Sequence, residues 1–264
     1  MGSRQSLEKA SGCEVSRAAD LIRSLKQVTV LTGAGISTPS GIPDFRSPGS
    51  GLWSLYDPME VATLSVFRYH PEKFFAWMQP LAAEMVQARP NPAHYALARL
   101  EQSGYVLNII TQNIDGLHQR AGSKNVLEVH GSLETLTCID CYQQFPSSGL
   151  IEPYVTLGQI PLCPDCKAIL KPNAVLFEEQ LPVRTWLSAQ QACRNCRVML
   201  VAGSSLEVMP AAGLPLQALE RDARLILIND TPTYLDERAD VILRGDLAEV
   251  LPEVAAEVLR ETVD

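Results

Sequence analysis

Four short, mainly apolar runs, each stopping at a polar or glycine-rich turn, constrain the folding of this chain more than any other feature. Residues 28–31 stop at Thr32-Gly33-Ala34-Gly35, and residues 105–110 at Thr111-Gln112-Asn113-Ile114-Asp115. Residues 198–202 stop at Gly203-Ser204-Ser205, and residues 225–228 at Asn229-Asp230. A strand that is apolar along its whole length has both faces covered, the condition of a parallel strand between two layers of helix. Helical periodicity precedes or separates the runs. Residues 7–26 carry Val15, Ala18, Leu21, Ile22 and Leu25 near a 3.6-residue period, and residues 92–103 and 210–221 read as further helices. The expected fold is α/β, built of βα units around a parallel sheet.

Two segments interrupt this alternation. Residues 49–89 carry Trp53, Tyr56, Phe67, Phe74, Phe75 and Trp77 and read as a small helical insertion. The second holds Cys138-x-x-Cys141 and Cys163-x-x-Cys166, with the 21 residues 142–162 between the pairs, just beyond the ~15–20 common for paired zinc knuckles. Four thiolates can hold one Zn²⁺ tetrahedrally, and with every position filled by sulfur no site is left for water, so the metal is expected to be structural. A third pair, Cys193 and Cys196, lacks a second pair and runs into the 198–202 strand. Its alternatives are a core or surface thiol pair, or metal and redox work. Six of seven cysteines in C-x-x-C pairs suit an intracellular, cytoplasmic protein better than a disulfide framework.

Composition excludes other classes. Against 22 Lys+Arg stand 30 Asp+Glu, a formal charge of −8, so the chain gains nothing from counterion release on a nucleic acid. No apolar run approaches the ~18–20 residues of a membrane span, and residues 1–6 lead into no signal core. A monomeric globular protein is expected.

The turn at Gly33 and Gly35 follows a strand, the context in which glycines let backbone N–H groups approach a pyrophosphate and a following helix aims its positive end at it. The dinucleotide fingerprint is incomplete, because Thr38 stands where a third glycine belongs and no acidic residue follows about 20 residues on. A tight turn remains the alternative, although Asn229 and Asp230 offer hydroxyl-binding groups at another strand end. His130, beside Gly131 after the apolar run at 126–129, is the strongest general-base candidate of the four histidines. An ordinary imidazole, with a pKa near ~6.5, is largely neutral at pH 7. His70, His94 and His118 stand in contexts that favour packing or capping.

Taken together, Gly33-Ala34-Gly35-Ile36-Ser37, Gly41-Ile42-Pro43-Asp44-Phe45-Arg46, the 111–115 turn, His130-Gly131, the two cysteine pairs, Gly203-Ser204-Ser205-Leu206 and Asn229 occur in the order found in sirtuins. The chain resembles these Sir2-type NAD-dependent protein deacylases from about residue 25 to 251. The resemblance implies a Rossmann-like NAD-binding domain of residues 1–48, 91–134 and 171–264. It also implies a smaller domain made of a helical insertion, 49–90, and a zinc-binding module, 135–170, that holds Zn²⁺ through Cys138, Cys141, Cys163 and Cys166. NAD⁺ is consumed as co-substrate. The acyl oxygen of an acetyl-lysine protein or peptide attacks C1′ of the nicotinamide ribose, nicotinamide leaves, and an alkylimidate forms. The base, here His130, then lets the 2′-oxygen attack, giving free lysine and O-acetyl-ADP-ribose. By resemblance Gly33, Ala34, Gly35 and Thr38 line the phosphates and neighbouring ribose, while Phe45 covers C1′ and Arg46 contacts the charged part of the cofactor. Gln112, Asn113, Ile114 and Asp115 form the nicotinamide and ribose pocket, with Asn113 ordering the ribose or a water. Gly203, Ser204, Ser205, Asn229, Asp230 and Leu247 hold the adenosine half.

One departure stands out. The family's peptide-binding strand reads Val-x-Phe-Gly-Glu, whereas here it is Val175-Leu176-Phe177-Glu178-Glu179. Val175, Phe177 and Glu178 are the expected substrate-binding residues. Glu178 either restricts the peptides accepted, drawing basic flanking residues, or is a solvated strand-end carboxylate. The Tyr-x-x-Arg pair of succinyl- and malonyl-preferring sirtuins is missing from the helical insertion, where Tyr56 is followed by Met59 and Tyr69 by Glu72, so neutral acyl groups are expected, acetyl first. Two other functions remain open on sequence: mono-ADP-ribosyl transfer through the same C1′, and a non-enzymatic zinc-ribbon binding module.

Overall fold

The computed structural model describes residues 12–45 and 51–260; Arg46 and the start of the first expected helix lie outside them. Helix α1 (Gly12–Leu25) buries Val15, Ala18, Ala19 and Ile22 and leads into β1 (Val28–Thr32), which is buried along its whole length. The helical insertion consists of α2 (Pro58–Val61), α3 (Leu64–Tyr69) and α4 (Pro71–Gln87). The chain returns through α5 (Pro92–Gln102). This helix starts where it does because Asn91 accepts the Ala93 N–H, Pro92 needs no partner for a missing N–H, and His94 Nδ1 accepts the Asn91 N–H. Then follow β2 (Val106–Thr111), α6 (Leu117–Arg120), β3 (Val126–Glu128), β4 (Gly131–Cys138), β5 (Gln144–Pro146), α7 (Ile151–Leu157) and β6 (Leu170–Ala174). The last third contains α8 (Val183–Asn195), β7 (Val198–Ala202), α9 (Leu214–Leu219), β8 (Arg224–Ile228), β9 (Val241–Leu243) and α10 (Leu247–Leu259).

Among the described residues, six parallel strands form a Rossmann-like sheet in the order β3-β2-β1-β7-β8-β9. Alternate residues of the apolar runs face opposite layers. Val28, Val30, Leu200 and Ile226 pack with α1, α5 and α10, while Leu31, Met199, Val201 and Leu227 pack with α8 and α9. That two-sided burial is why the runs of β1, β7 and β8 show no polar alternation, whereas β2 starts with Leu107 exposed and Asn108 half-buried. A second, antiparallel sheet, in the order β5-β4-β6, carries the cysteine pairs. The aromatic residues of the helical insertion make a third core: Phe67, Phe74 and Phe75 meet edge to face with centroids 5.2–5.8 Å apart. No helix among the described residues is long and apolar enough to cross a membrane.

Strand order reverses at β1, which lies between β2 and β7, so the loops leaving β1 and β7 diverge to opposite layers and leave a crevice at the carboxyl end of the sheet.

Candidate active site

The crevice is floored by glycines pressed together. A Cβ on Gly33 would lie 2.7 Å from the Gly203 carbonyl oxygen, and one on Gly203, whose φ is +66°, would lie 2.5 Å from the Ile36 nitrogen. The Gly35 N–H donates to the Gly203 carbonyl at 2.9 Å and the Gly33 N–H to the Ala202 carbonyl. Two of the amides expected to meet a pyrophosphate therefore join the β1 and β7 loops instead, and the glycines are required first by that close approach. The expected helix after the turn is replaced by two single 3-10 turns, Ala34–Ile36 and Thr38–Ser40, the second closed by Gly41 at φ +87°. Pro39 lacks the N–H that a continuing α-helix needs there.

Above this floor is a polar cavity of about 660 Å³. Gly33, Ala34, Gly35, Thr38, Phe45, Gln112, Asn113, Gly203, Ser204, Ser205, Asn229, Asp230 and Leu247 all line it. Gln112 Nε2 donates to Ser204 Oγ at 2.8 Å, tying the ends of β2 and β7 together across β1. Asn229 Nδ2 donates to the Thr231 carbonyl at 2.9 Å, and Arg244, paired with Asp236, donates to the Asn229 carbonyl at 2.8 Å.

Ile114 and Asp115 face a second cavity, apolar and about 630 Å³, which also contains Val175, Phe177 and Glu178. Asp115 is held from two sides: Oδ2 accepts the Ser37 hydroxyl at 2.7 Å and Oδ1 the Leu117 N–H at 2.9 Å. Burial pushes its carboxyl pKa up, opposed by those hydrogen bonds and by the Arg120 guanidinium. Asn113 Nδ2 donates to Ser37 Oγ and to the Gly33 carbonyl, each at 3.1 Å. Ser37, fully enclosed, thus couples Asn113 to Asp115 and belongs to the site, although the sequence reading gave it no role. Behind it the Asn113 N–H donates to Thr111 Oγ1, which bonds Thr32 Oγ1, itself 3.0 Å from His118 Nε2. His118 and His94 are buried with ring centroids 4.9 Å apart. Burial lowers their pKa values to about 3 and about 4 respectively, so both are neutral packing groups at pH 7.

The two cavities share a wall made by Ala34, Phe45, Gln112, Asn113, His130 and Val208. His130 Nδ1 lies 3.0 Å from the Gln112 carbonyl oxygen. A carbonyl only accepts, so Nδ1 carries the proton and Nε2 is the basic nitrogen of the neutral ring. Gly131 follows at φ +74°, where a Cβ would lie 1.9 Å from the Asn173 carbonyl oxygen, so only glycine lets the chain turn from the imidazole into β4. On the apolar side, the Val175 N–H donates to the His130 carbonyl at 2.8 Å, the Phe177 N–H to the Ala62 carbonyl at 3.0 Å, and the Leu64 N–H to the Phe177 carbonyl at 3.0 Å. Residues 175–177 therefore run from the imidazole to the helical insertion. Glu178 lies beyond them, exposed, with its carboxylate on Ser65. Phe45 packs 5.1 Å from Trp53, which stacks 5.8 Å from Trp77.

The ligand atoms of Cys138, Cys141, Cys163 and Cys166 all lie within 4.8 Å of one another, with Sγ–Sγ separations of 3.4 Å for Cys138–Cys166 and 3.7 Å for Cys141–Cys163. A tetrahedron with Zn–S bonds of ~2.3 Å has edges of ~3.8 Å, so the cluster fits structural Zn²⁺. The N–H groups of Asp140 and Cys141 each point at Cys138 Sγ from 3.4 Å, as suits a thiolate. Cys193 and Cys196 are buried in the α8 core, and burial raises both thiol pKa values, that of Cys196 to about 11. They are packing thiols.

A sequence profile of the Sir2 family matches residues 33–210. The NAD-dependent protein deacylase 2 of Archaeoglobus fulgidus is 46% identical over 94% of this chain and 97% of its own length. The chain belongs to the Sir2 family. A Sir2 enzyme solved in a study of the mechanism and regulation of these enzymes superposes with a TM-score of 0.88 at 45% identity, covering 94% of this chain and 98% of that one. A Sir2 complex with a p53 peptide and NAD⁺ superposes with a TM-score of 0.82 at 40% identity, covering 90% and 95%. This sirtuin thus shares the fold of solved Sir2 enzymes over nearly its whole length.

Proposed function

We propose that this sirtuin is an NAD-dependent protein-lysine deacetylase that releases nicotinamide and forms O-acetyl-ADP-ribose. The observation that carries the reading is the place of His130 on the wall shared by a polar and an apolar cavity. NAD⁺ bound in the polar cavity supplies an electrophilic ribose C1′ whose leaving group is nicotinamide. The chain's residues do the rest. Gly33, Ala34, Gly35 and Thr38 line the phosphate region. Gly203, Ser204, Ser205, Asn229, Asp230 and Leu247 take the adenosine half. Asn113, Ile114 and Asp115 orient the nicotinamide end, Asn113 and Asp115 being preset by Ser37. Phe45 covers the reacting face and keeps water from it, which matters because a ribosyl cation reacts with any nucleophile admitted. His130 Nε2 takes the proton from a ribose hydroxyl, while Gln112 fixes the ring through Nδ1. Val175 and Phe177 hold the acyl-lysine peptide from the apolar side, and the Zn²⁺ module keeps β4 and β6 in register.

Seven cysteines without a disulfide, six of them in C-x-x-C pairs, suit a reducing compartment, so we place the enzyme in the cytoplasm, acting as a single chain on acetyl-lysine proteins. Among the described residues, no Lys or Arg lines the apolar cavity, whose walls include Trp53, Trp77, Met78 and Leu81. A carboxylate buried there lacks a partner. The kcat/KM for a succinyl-lysine peptide is therefore expected to be at least ~100-fold below that for the acetyl form, about 2.7 kcal/mol of transition-state binding. A succinyl value above the acetyl value contradicts the reading.

A further inference from the structure

Residue 178 carries a side chain where the backbone least favours one. Its φ is +73°, the left-handed region that glycine adopts freely and glutamate does not. The carboxylate has a specific contact: Glu178 Oε2 accepts the Ser65 hydroxyl at 2.7 Å and the Ser65 N–H at 3.0 Å, in the first turn of α3 and 113 residues away in sequence. Those two hydrogen bonds favour the ionised form and lower the carboxyl pKa. The junction is also stitched by backbone, through the Phe177 N–H on Ala62, the Leu64 N–H on Phe177 and a parallel bridge between Thr63 and Phe177. On the other side, Glu179 Oε2 accepts the Leu176 N–H at 2.8 Å and pairs with Lys171 Nζ at 2.8 Å. The segment from 175 to 179 is thus suspended between His130 and the helical insertion. The Glu178–Ser65 contact joins two exposed residues, so it can be cut without opening a core.

We propose that Glu178 is a positioning residue for the acyl-peptide: its carboxylate, latched on Ser65, fixes the spacing between the strand at 175–177 and the helical insertion, and so presets the slot that the peptide enters. The proposal rests on the reading of residues 175–177 as the peptide edge. A latch made before binding lowers the ordering cost of the complex, so it acts on peptide affinity and not on the chemical step. It also explains how glutamate is held in a glycine conformation. Glu178 acts through Ser65 on the strand, without needing a basic residue in the peptide.

The test uses the full chain and its Ser65→Ala, Glu178→Ala and Glu178→Gln variants, with an acetyl-lysine peptide and NAD⁺, after thermal melting confirms folding. Ser65→Ala and Glu178→Ala are expected to raise the peptide KM about three- to tenfold, with kcat and the NAD⁺ KM within about twofold. Glu178→Gln, whose amide oxygen accepts the same two hydrogen bonds, is expected to retain the wild-type peptide KM. In parallel, hydrogen exchange at the amides of Leu176 and Phe177 is expected to quicken in both alanine variants. Unchanged exchange, an unchanged peptide KM, an equal shift in the NAD⁺ KM, or a glutamine variant as impaired as Glu178→Ala each overturns the latch. Wild-type chain that frees no lysine from the peptide overturns the functional reading instead, and faster exchange in the alanine variants still upholds the latch.

Discussion

His130→Ala is expected to lower kcat for release of free lysine by about 10²–10⁴-fold, the range of a positioned general base. The imidazole stands on the wall common to both cavities, its Nδ1 proton is fixed by the Gln112 carbonyl at 3.0 Å, and the turn beneath it is locked by Gly131 at φ +74°. Nothing in that arrangement anchors a phosphate or a peptide backbone through the ring, so NAD⁺ and peptide affinities should change little. Because the base acts after nicotinamide has left, exchange of labelled nicotinamide into NAD⁺ should fall much less than lysine release. Rapid-quench single turnovers that follow both products separate the two steps. A variant within about threefold of wild type in lysine release removes His130 from the role.

Loss of zinc is expected to have a comparable effect by a different route. Cys138 ends β4 and the Cys163 pair precedes β6, and these strands lead to His130 and Val175, the two sides of the reacting centre. The module's own core is small, essentially Leu136 and Leu170 with the enclosed sulfurs of Cys138 and Cys163. Structural zinc sites contribute ~10–16 kcal/mol in peptides, as much as the ~5–15 kcal/mol that holds a whole domain. Cys163→Ala, or prolonged chelation, should therefore cost more than about nine-tenths of the activity and expose the 139–169 segment to proteolysis, whereas Cys13→Ser, at an exposed thiol, should do neither. Metal content by plasma mass spectrometry, read beside activity, checks this. Full activity in protein with under about one-tenth of a zinc per chain contradicts it.

What the sequence made legible follows from which interactions are local. The four central strands are mainly apolar runs, and the structure places each within about a residue of its expected limits. β9, with three residues at a sheet edge, is too short for periodicity to register, whereas β3, equally short at the other edge, lies within the apolar run read at 126–129. The glycine turn was readable as a turn, but not its 3-10 form or its contact with Gly203, because that close approach involves a loop some 170 residues further on. The metal ligands were readable because their spacing is itself local. Ser37 on Asp115, 78 residues apart, and Glu178 on Ser65 leave no mark on either neighbourhood. A serine in a glycine-rich turn and a glutamate after a strand look solvated until the fold brings their partners to them.

The most direct test of the account is the product balance of the wild-type reaction. An acetyl-lysine peptide incubated with NAD⁺ and followed by mass spectrometry should give nicotinamide, free lysine and O-acetyl-ADP-ribose in equal amounts. Free acetate with NAD⁺ left intact, or ADP-ribosylated protein without O-acetyl-ADP-ribose, would contradict the claim that acyl group and ribose meet at the wall His130 shares between the cavities.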